Sequence, residues 1–332
     1  MSSRYDPGRI LSNWKIGNIV SIRKLEAGVV NQNWLVRTSS GQYILRRVVF
    51  ETPHELRFEL GYLRYLKARG FSYEIPFAIS TITGGLFVFF RNAISWLYQY
   101  IEGEFKTRLG KTEIRQVARM MATYHTLIEK SGLDNGKSRG DLFREKLISR
   151  ELRNFQAKLS RKAVLKTTDR VFLREANKLL PLLERLEPKH ETLSRLSKYP
   201  LHRDITPDNL VWRKNRLVGL IDFENVGRYS EPLIKDISVF FQYACRENLH
   251  LDVDLIGYFL HEYRKYHSLT EGEIKLIPNL VVAGFIEDFS YAYWMINFDP
   301  ERARSYRLRL YSKLARSICN TSRLVTERIL AG

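Results

Sequence analysis

Apolar and polar residues alternate over three short stretches near the start of the chain, residues 19–25, 34–38 and 43–48. A period of two predicts half-buried strands, and the turn-like residues 27–31 and 39–42 between them make an antiparallel meander. From Thr52-Pro53 the period lengthens. Leu56, Glu59, Leu63 and Leu66 fall at three- and four-residue steps and Gly70 closes the run, which predicts a helix with proline in its first turn. Gly84-Gly85 then links residues 80–83 to the apolar residues 86–90, and a further apolar run, residues 96–101, ends at Gly103.

Beyond Gly103 the pattern is mainly helical. Ile114, Val117, Ala118, Met121 and Leu127 form one stripe with His125 beside it, residues 141–187 read as basic helix, and helical spacing returns after Asp236, over 285–296 and over 306–318. His125 at such a place is a core residue first. Tyr291, Tyr293 and Trp294 are either core or the wall of a cleft. One interruption matters. Residues 209–212 and 217–221 are short apolar runs around the turn-like Arg213-Lys214-Asn215-Arg216, the signature of a hairpin.

That hairpin is flanked by acids. Leu201-His202-Arg203-Asp204-Ile205-Thr206-Pro207-Asp208-Asn209 leads into it and Ile221-Asp222-Phe223-Glu224 leaves it, so Asp204 and Asp222 are expected at the same end. Pro207 stiffens the entering loop and biases Thr206 away from helix. Singly, Asp204, Asp208 and Asn209 are ordinary turn formers. Together with Asp222 they supply a carboxylate to receive a hydroxyl proton, and an amide oxygen and a second carboxylate of the kind a hard divalent cation prefers. Phosphoryl transfer needs such a set, because its loose transition state asks for positioning and charge neutralisation.

The segment resembles the superfamily of aminoglycoside phosphotransferases, choline kinases and type II homoserine kinases. The resemblance implies a bilobal, protein-kinase-like α+β fold, with a small antiparallel-sheet lobe carrying one helix at residues 1–100 and a larger, mainly helical lobe at residues 101–332. It implies Asp204 as catalytic base, Asn209 and Asp222 as ligands of Mg2+, and Asp236 as the acid that braces the catalytic loop. ATP is the implied donor. Arg46 on the third strand and Glu59 on the helix take the roles of the phosphate-reaching base and its acidic partner. Lysine is more usual at the first of these positions, and Arg47 on the opposite strand face is the alternative. Ile44 shares a face with Arg46, as a floor for adenine. The first turn, with Gly28 and Asn31, offers backbone N–H groups to phosphates or is a plain hairpin. Backbone groups of Gln99, Tyr100 and Ile101 match a hinge that reads the adenine edge, or belong to an edge strand. Small-molecule members usually carry glycine where this chain has Arg203, which pairs with a local acid such as Glu224 or meets an anion.

Composition narrows the context. The 332 residues suffice for a sizeable core, and 44% hydrophobic with 27% charged residues is ordinary globular usage. Two cysteines, Cys245 and Cys319, argue against a disulfide scaffold, no Cys/His spacing suits zinc, and no run has the length of a membrane span. These features fit a cytoplasmic protein. A net charge of +18 attracts anions, ATP and phosphorylated metabolites among them, and makes polycationic aminoglycosides poor acceptors. Expected acceptors are small hydroxylated compounds, such as homoserine, a sugar or an amino alcohol. The charge also allows a nucleic-acid partner along Arg302, Arg309, Lys313 and Arg316, without a binding motif to support it. A degenerate kinase acting as a scaffold is the remaining alternative.

Overall fold

The structure, a computed structural model, describes residues 5–25, 31–90, 93–136, 144–186, 190–301, 303 and 306–331. They fall into two compact units, the first drawn from Met1–Phe105 and Asn209–Arg228, the second from Lys106–Asp208 and Tyr229–Gly332.

In the first unit a short helix, α1 (Pro7–Leu11), precedes the meander of β1 (Ile19–Lys24), β2 (Gln32–Thr38) and β3 (Gly41–Val48). The helix α2 (Pro53–Ala68) follows, then β4 (Val88–Phe90) and β5 (Ala93–Gln99), in a sheet ordered β1-β2-β3-β5-β4 with every pairing antiparallel. Thr52 caps α2 and exchanges bonds with Glu55, a capping box with Pro53 at the first position. Ile10, Leu11, Trp14 and Ile16 pack on Trp34, Val36, Leu45 and Leu97 to form a core. The prediction of half-burial fails for β1. It is an edge strand whose side chains are exposed throughout, with Val20 at 72%. Residues 82 and 83 lie in a turn.

The second unit begins with α3 (Lys111–Glu129), α4 (Arg144–Leu159), α5 (Thr167–Leu186) and α6 (His190–Ser194). The strand β6 (Tyr199–Pro200) leads into the loop at 201–208. In the first unit, β7 (Leu210–Arg213) and β8 (Arg216–Leu220) form the predicted hairpin. Its two turn residues, Lys214 and Asn215, have φ of 49° and 62°, as a two-residue turn matched to strand twist requires. The chain re-enters the second unit with β9 (Ser230–Glu231), which pairs with β6. It continues through α7 (Ile234–Ala244), β10 (Arg246–Glu247), β11 (His250–Leu251), α8 (Val253–Arg264), α9 (Glu271–Phe298) and α10 (Leu308–Ala331). Apolar side chains are buried all round most of α9, which marks it as the central helix of this unit. Tyr293 is core, stacked on Phe172 and donating to Asp169. On α10, Arg309 and Lys313 are exposed, whereas Arg302 lies outside the described residues. Both cysteines are free thiols, and among the described residues no helix is long and apolar enough to cross a membrane.

The hairpin is sewn to the first unit by backbone. Glu104 and Trp212 exchange bonds of 2.8 and 2.9 Å, and Glu74 exchanges bonds with Val218 and Leu220 at 2.7 and 3.0 Å. Gly103 permits the first contact, since a Cβ there would sit 3.2 Å from the Trp212 carbonyl carbon and closer still to its oxygen. Gly103→Ala is therefore expected to destabilise the protein by about 1–3 kcal/mol, read as a lower urea midpoint with an unchanged slope.

Candidate active site

Strand alternation on β3 separates two arginines. Arg47 turns outward, 3.0 Å from Gln32 and over the Tyr5 ring, while Arg46 turns inward and is 3% exposed. A buried guanidinium must find carboxylates, and Arg46 Nη2 donates to Asp222 Oδ1 at 2.7 Å and Glu224 Oε2 at 2.9 Å. Glu59 on α2 is fully buried and makes no direct bond to Arg46. Burial, reinforced by the facing Glu51, pushes the Glu59 carboxyl well above the usual range, and burial raises Glu51 as well. Arg228 approaches Glu224 Oε1 at 3.6 Å, and burial together with Asp222 pushes Glu224 up to about 7. Four carboxyl groups thus face two guanidinium groups.

The hairpin brings Asn209 and Asp222 together. Ile221 N–H donates to Asn209 O at 3.0 Å, so both residues sit at its open end. Asp222 has φ of 70°, a left-handed conformation that aspartate tolerates better than most residues, and 38% of its side chain stays accessible. An amide oxygen and a carboxylate are donors of the kind that Mg2+ takes, an ion that uses few protein oxygens and keeps several waters. The other expected nucleotide contacts divide. Gly28 lies outside the described residues. Asn31 points inward, donating to Glu224 and accepting from Val49 N–H at 3.0 Å. Gln99 ends β5, Tyr100 N–H is bound to Gln42 O at 3.0 Å, and Ile101 is buried.

The second unit holds the loop with Asp204. Asp236, fully buried in the first turn of α7, accepts the Arg203 N–H at 2.6 Å and approaches His125 Nε2 at 3.4 Å. His125 Nδ1 lies 2.7 Å from the Tyr263 hydroxyl, and burial lowers its pKa, so this histidine is a neutral strut. The Asp204 N–H donates to His202 Nδ1 at 3.2 Å, and its carbonyl accepts from Thr206 N–H at 2.9 Å. Arg203 pairs with acids other than Glu224. It meets Glu231 and Glu287, the latter at 3.2 Å, and lies 4.3 Å over the Tyr229 ring. Sequence reasoning missed Glu51, Arg228 and Glu287. Of these only Glu51, just before the Thr52 cap, stood close to a recognised feature.

An antiparallel sheet with one long helix, a braced Asp204 loop in a helical unit and a hairpin carrying Asn209 and Asp222 define a protein-kinase-like phosphotransferase. A sequence model of the Phosphotransferase enzyme family matches residues 21–266, and the chain belongs to that family, as a small-molecule kinase. It is 26% identical to a homoserine kinase of Chelativorans sp. over 275 residues, covering 81% of this chain and 79% of the relative. A homoserine kinase of Brucella canis is 27% identical over 281 residues, covering 82% and 78%. Among solved structures, an aminoglycoside phosphotransferase from Alicyclobacillus acidocaldarius superposes with a TM-score of 0.66 at 17% identity, covering 100% and 98%. A spectinomycin phosphotransferase solved with ADP and spectinomycin gives 0.70 at 14%, covering 96% and 97%, and a microcompartment-associated aminopropanol kinase gives 0.61 at 16%, covering 97% and 96%. These likenesses establish the fold.

Arg203 sets a measurable balance. Its φ of 57° costs an L-residue about 1 kcal/mol that glycine would recover. Its removal leaves Glu231, 18% exposed, without its cation and Glu287, 20% exposed, with only Lys235 at 3.7 Å, at a cost of about 3 kcal/mol. Arg203→Gly is expected to lower stability by the difference, about 2 kcal/mol, in urea unfolding.

Proposed function

We propose that this chain transfers the γ-phosphoryl group of ATP to a hydroxyl group of a small metabolite, with Mg2+ as the metal. A hydroxy amino acid such as homoserine, a sugar or an amino alcohol is the acceptor. The observation that carries this reading is the pairing of Asn209 and Asp222 at one end of the hairpin, beside the buried Arg46. The homoserine kinases it resembles over four-fifths of its length support the acceptor class.

In this reading the acceptor oxygen attacks the γ-phosphorus, the bond to the β-phosphate oxygen breaks, ADP departs, and Asp204 takes the hydroxyl proton. Asn209 and Asp222 hold the magnesium, which when bound neutralises charge on the phosphate oxygens. Arg46 offers its guanidinium to the phosphates, and Asp222 and Glu224 hold it in place. Asp236 fixes the backbone beside Asp204, so that the base does not have to be ordered during the reaction. The backbone of Gln99 to Ile101 is assigned to the adenine edge.

The test is ADP release with homoserine, aminopropanol and simple sugars as acceptors. The expected result is magnesium-dependent turnover of at least one of them, abolished by EDTA. Asp204→Ala should lower kcat about 10²- to 10⁴-fold while ATP binding persists. Turnover unaffected by Asp204→Ala, or absent with every hydroxylated acceptor, overturns the proposal.

A further inference from the structure

Two helices of the second unit turn matching flanks to solvent. α5 buries Phe172, Ala176, Leu179 and Leu183, with Phe172 stacked on Phe289 and Tyr293 of α9. α10 buries Leu308, Ala315 and Ile318 and also packs along α9. The two helices lie against each other, and Ser312 of α10 donates to the buried Glu175 of α5 at 2.8 Å. Since each has its apolar flank on α9, the opposite flanks look out on the same side of that contact.

Those outward flanks are basic. Arg170, Arg174 and Lys178 follow one another at four-residue steps on α5, and Arg309, Lys313 and Arg316 at steps of four and three on α10. All are exposed except the half-buried Arg316. Acids are scarce beside them. Between residues 170 and 183 α5 has only Glu175, which Arg174 and Lys178 approach at 3.0 and 3.2 Å, and α10 has none from 308 to 326. Among the described residues no acid forms an ion pair with Arg170, Arg309 or Lys313. A solvated helix face usually interleaves the two signs, because like charges one turn apart weaken the helix. Here both helices carry that penalty along the same surface.

The make-up of the surface selects its partner. Exposed large apolar side chains stand only at its margins, Leu310 and Leu324, which leaves little to insert into a bilayer. Among the described residues neither helix exposes an aromatic ring on which unpaired bases could stack. What remains is two rows of cations, each about 11 Å long, on helices packed about 8–10 Å apart. Phosphate rows on either side of the minor groove of B-form DNA, about 6 Å wide, offer the complementary pattern, whereas the minor groove of duplex RNA is wide. We propose that the outward flanks of α5 and α10 form a docking surface for double-stranded DNA, held through its phosphates without reading the bases. Arginine, four of the six cations, suits that role because its planar fork matches two phosphate oxygens. The surface takes no part in the phosphotransfer described above.

The experiment uses the whole chain and a fluorescein-labelled DNA duplex of about 20 base pairs, with binding read by anisotropy over a series of salt concentrations. Six cations on phosphates predict a slope of log K against log salt of about −5, alike for unrelated sequences. Arg170→Ala, Arg309→Ala and Lys313→Ala together are expected to flatten that slope by about 3 and to weaken binding about 10- to 100-fold at low salt. Lys15→Ala, Arg23→Ala and Arg115→Ala, which remove the same charge from exposed positions elsewhere, are expected to leave both quantities near the wild type. If the first triple variant does not fold, its three single variants decide the matter, each flattening the slope by about 1. No binding at low salt, or an equal loss in both triple variants, overturns the assignment. So does tighter binding of a duplex RNA of the same length, or binding to phosphatidylglycerol vesicles through these residues without binding to DNA.

Discussion

A guanidinium group taken out of water has to be surrounded by oxygen, and it stays charged at any pH a protein meets. Arg46 imposes that requirement on the first unit. Asp222 and Glu224 close on it directly, while Glu59 and Glu51 stand behind, and the hairpin and α2 are organised around the result. Asn31 extends the arrangement by tying Glu224 to the strand edge at Val49. Arg203 does the same in the second unit, joining the loop beside Asp204 to β9 and α9 through Glu231 and Glu287. The residues assigned to catalysis are thus held by fixed charges whose partners come from elements distant in sequence.

Local chemistry was the legible part. The Thr52-Pro53 start of α2, the two-residue turn at Lys214-Asn215 and the hairpin that carries Asn209 and Asp222 at one end are each written within a few adjacent residues, where capping and φ preference speak for themselves. What escaped was non-local. Arg203 has Glu224 nearby in sequence, yet its partners are Glu231 and, 84 positions away, Glu287, which only the packing of α7 and α9 can choose. The exposure of β1 escaped for a related reason. Alternation records which residues a strand presents, and the position of a strand at a sheet edge is set by its neighbours. Tyr293 entering the core while Tyr291 and Trp294 stay accessible follows from rotation along one helix, a distinction that spacing alone leaves open.

Internal charge pairing also bears on the basic character of the chain. Among the described residues, seven acids are buried, namely Glu51, Glu59, Asp169, Glu175, Glu224, Asp236 and Glu262, against three bases, Arg46, Arg203 and Lys235. Folding therefore withdraws more negative than positive charge, and the exterior is more basic than the net +18 suggests. A field of that sign concentrates nucleotides and other phosphates from solution.

The backbone stitches from Glu74 and Glu104 to the hairpin have a consequence for how the protein is made. The first unit lacks its last two strands until the ribosome has passed residue 228, more than a hundred residues beyond the end of its opening segment. Until then the carbonyl and amide groups of Glu74 and Glu104 have only water to bond, and Arg46 has neither of its direct partners. A nascent chain interrupted before that point would expose an open strand edge and a bare buried cation, the kind of surface that chaperones recognise. Synthesis of this protein is therefore bound to a long wait between the appearance of its first strands and the moment they can close.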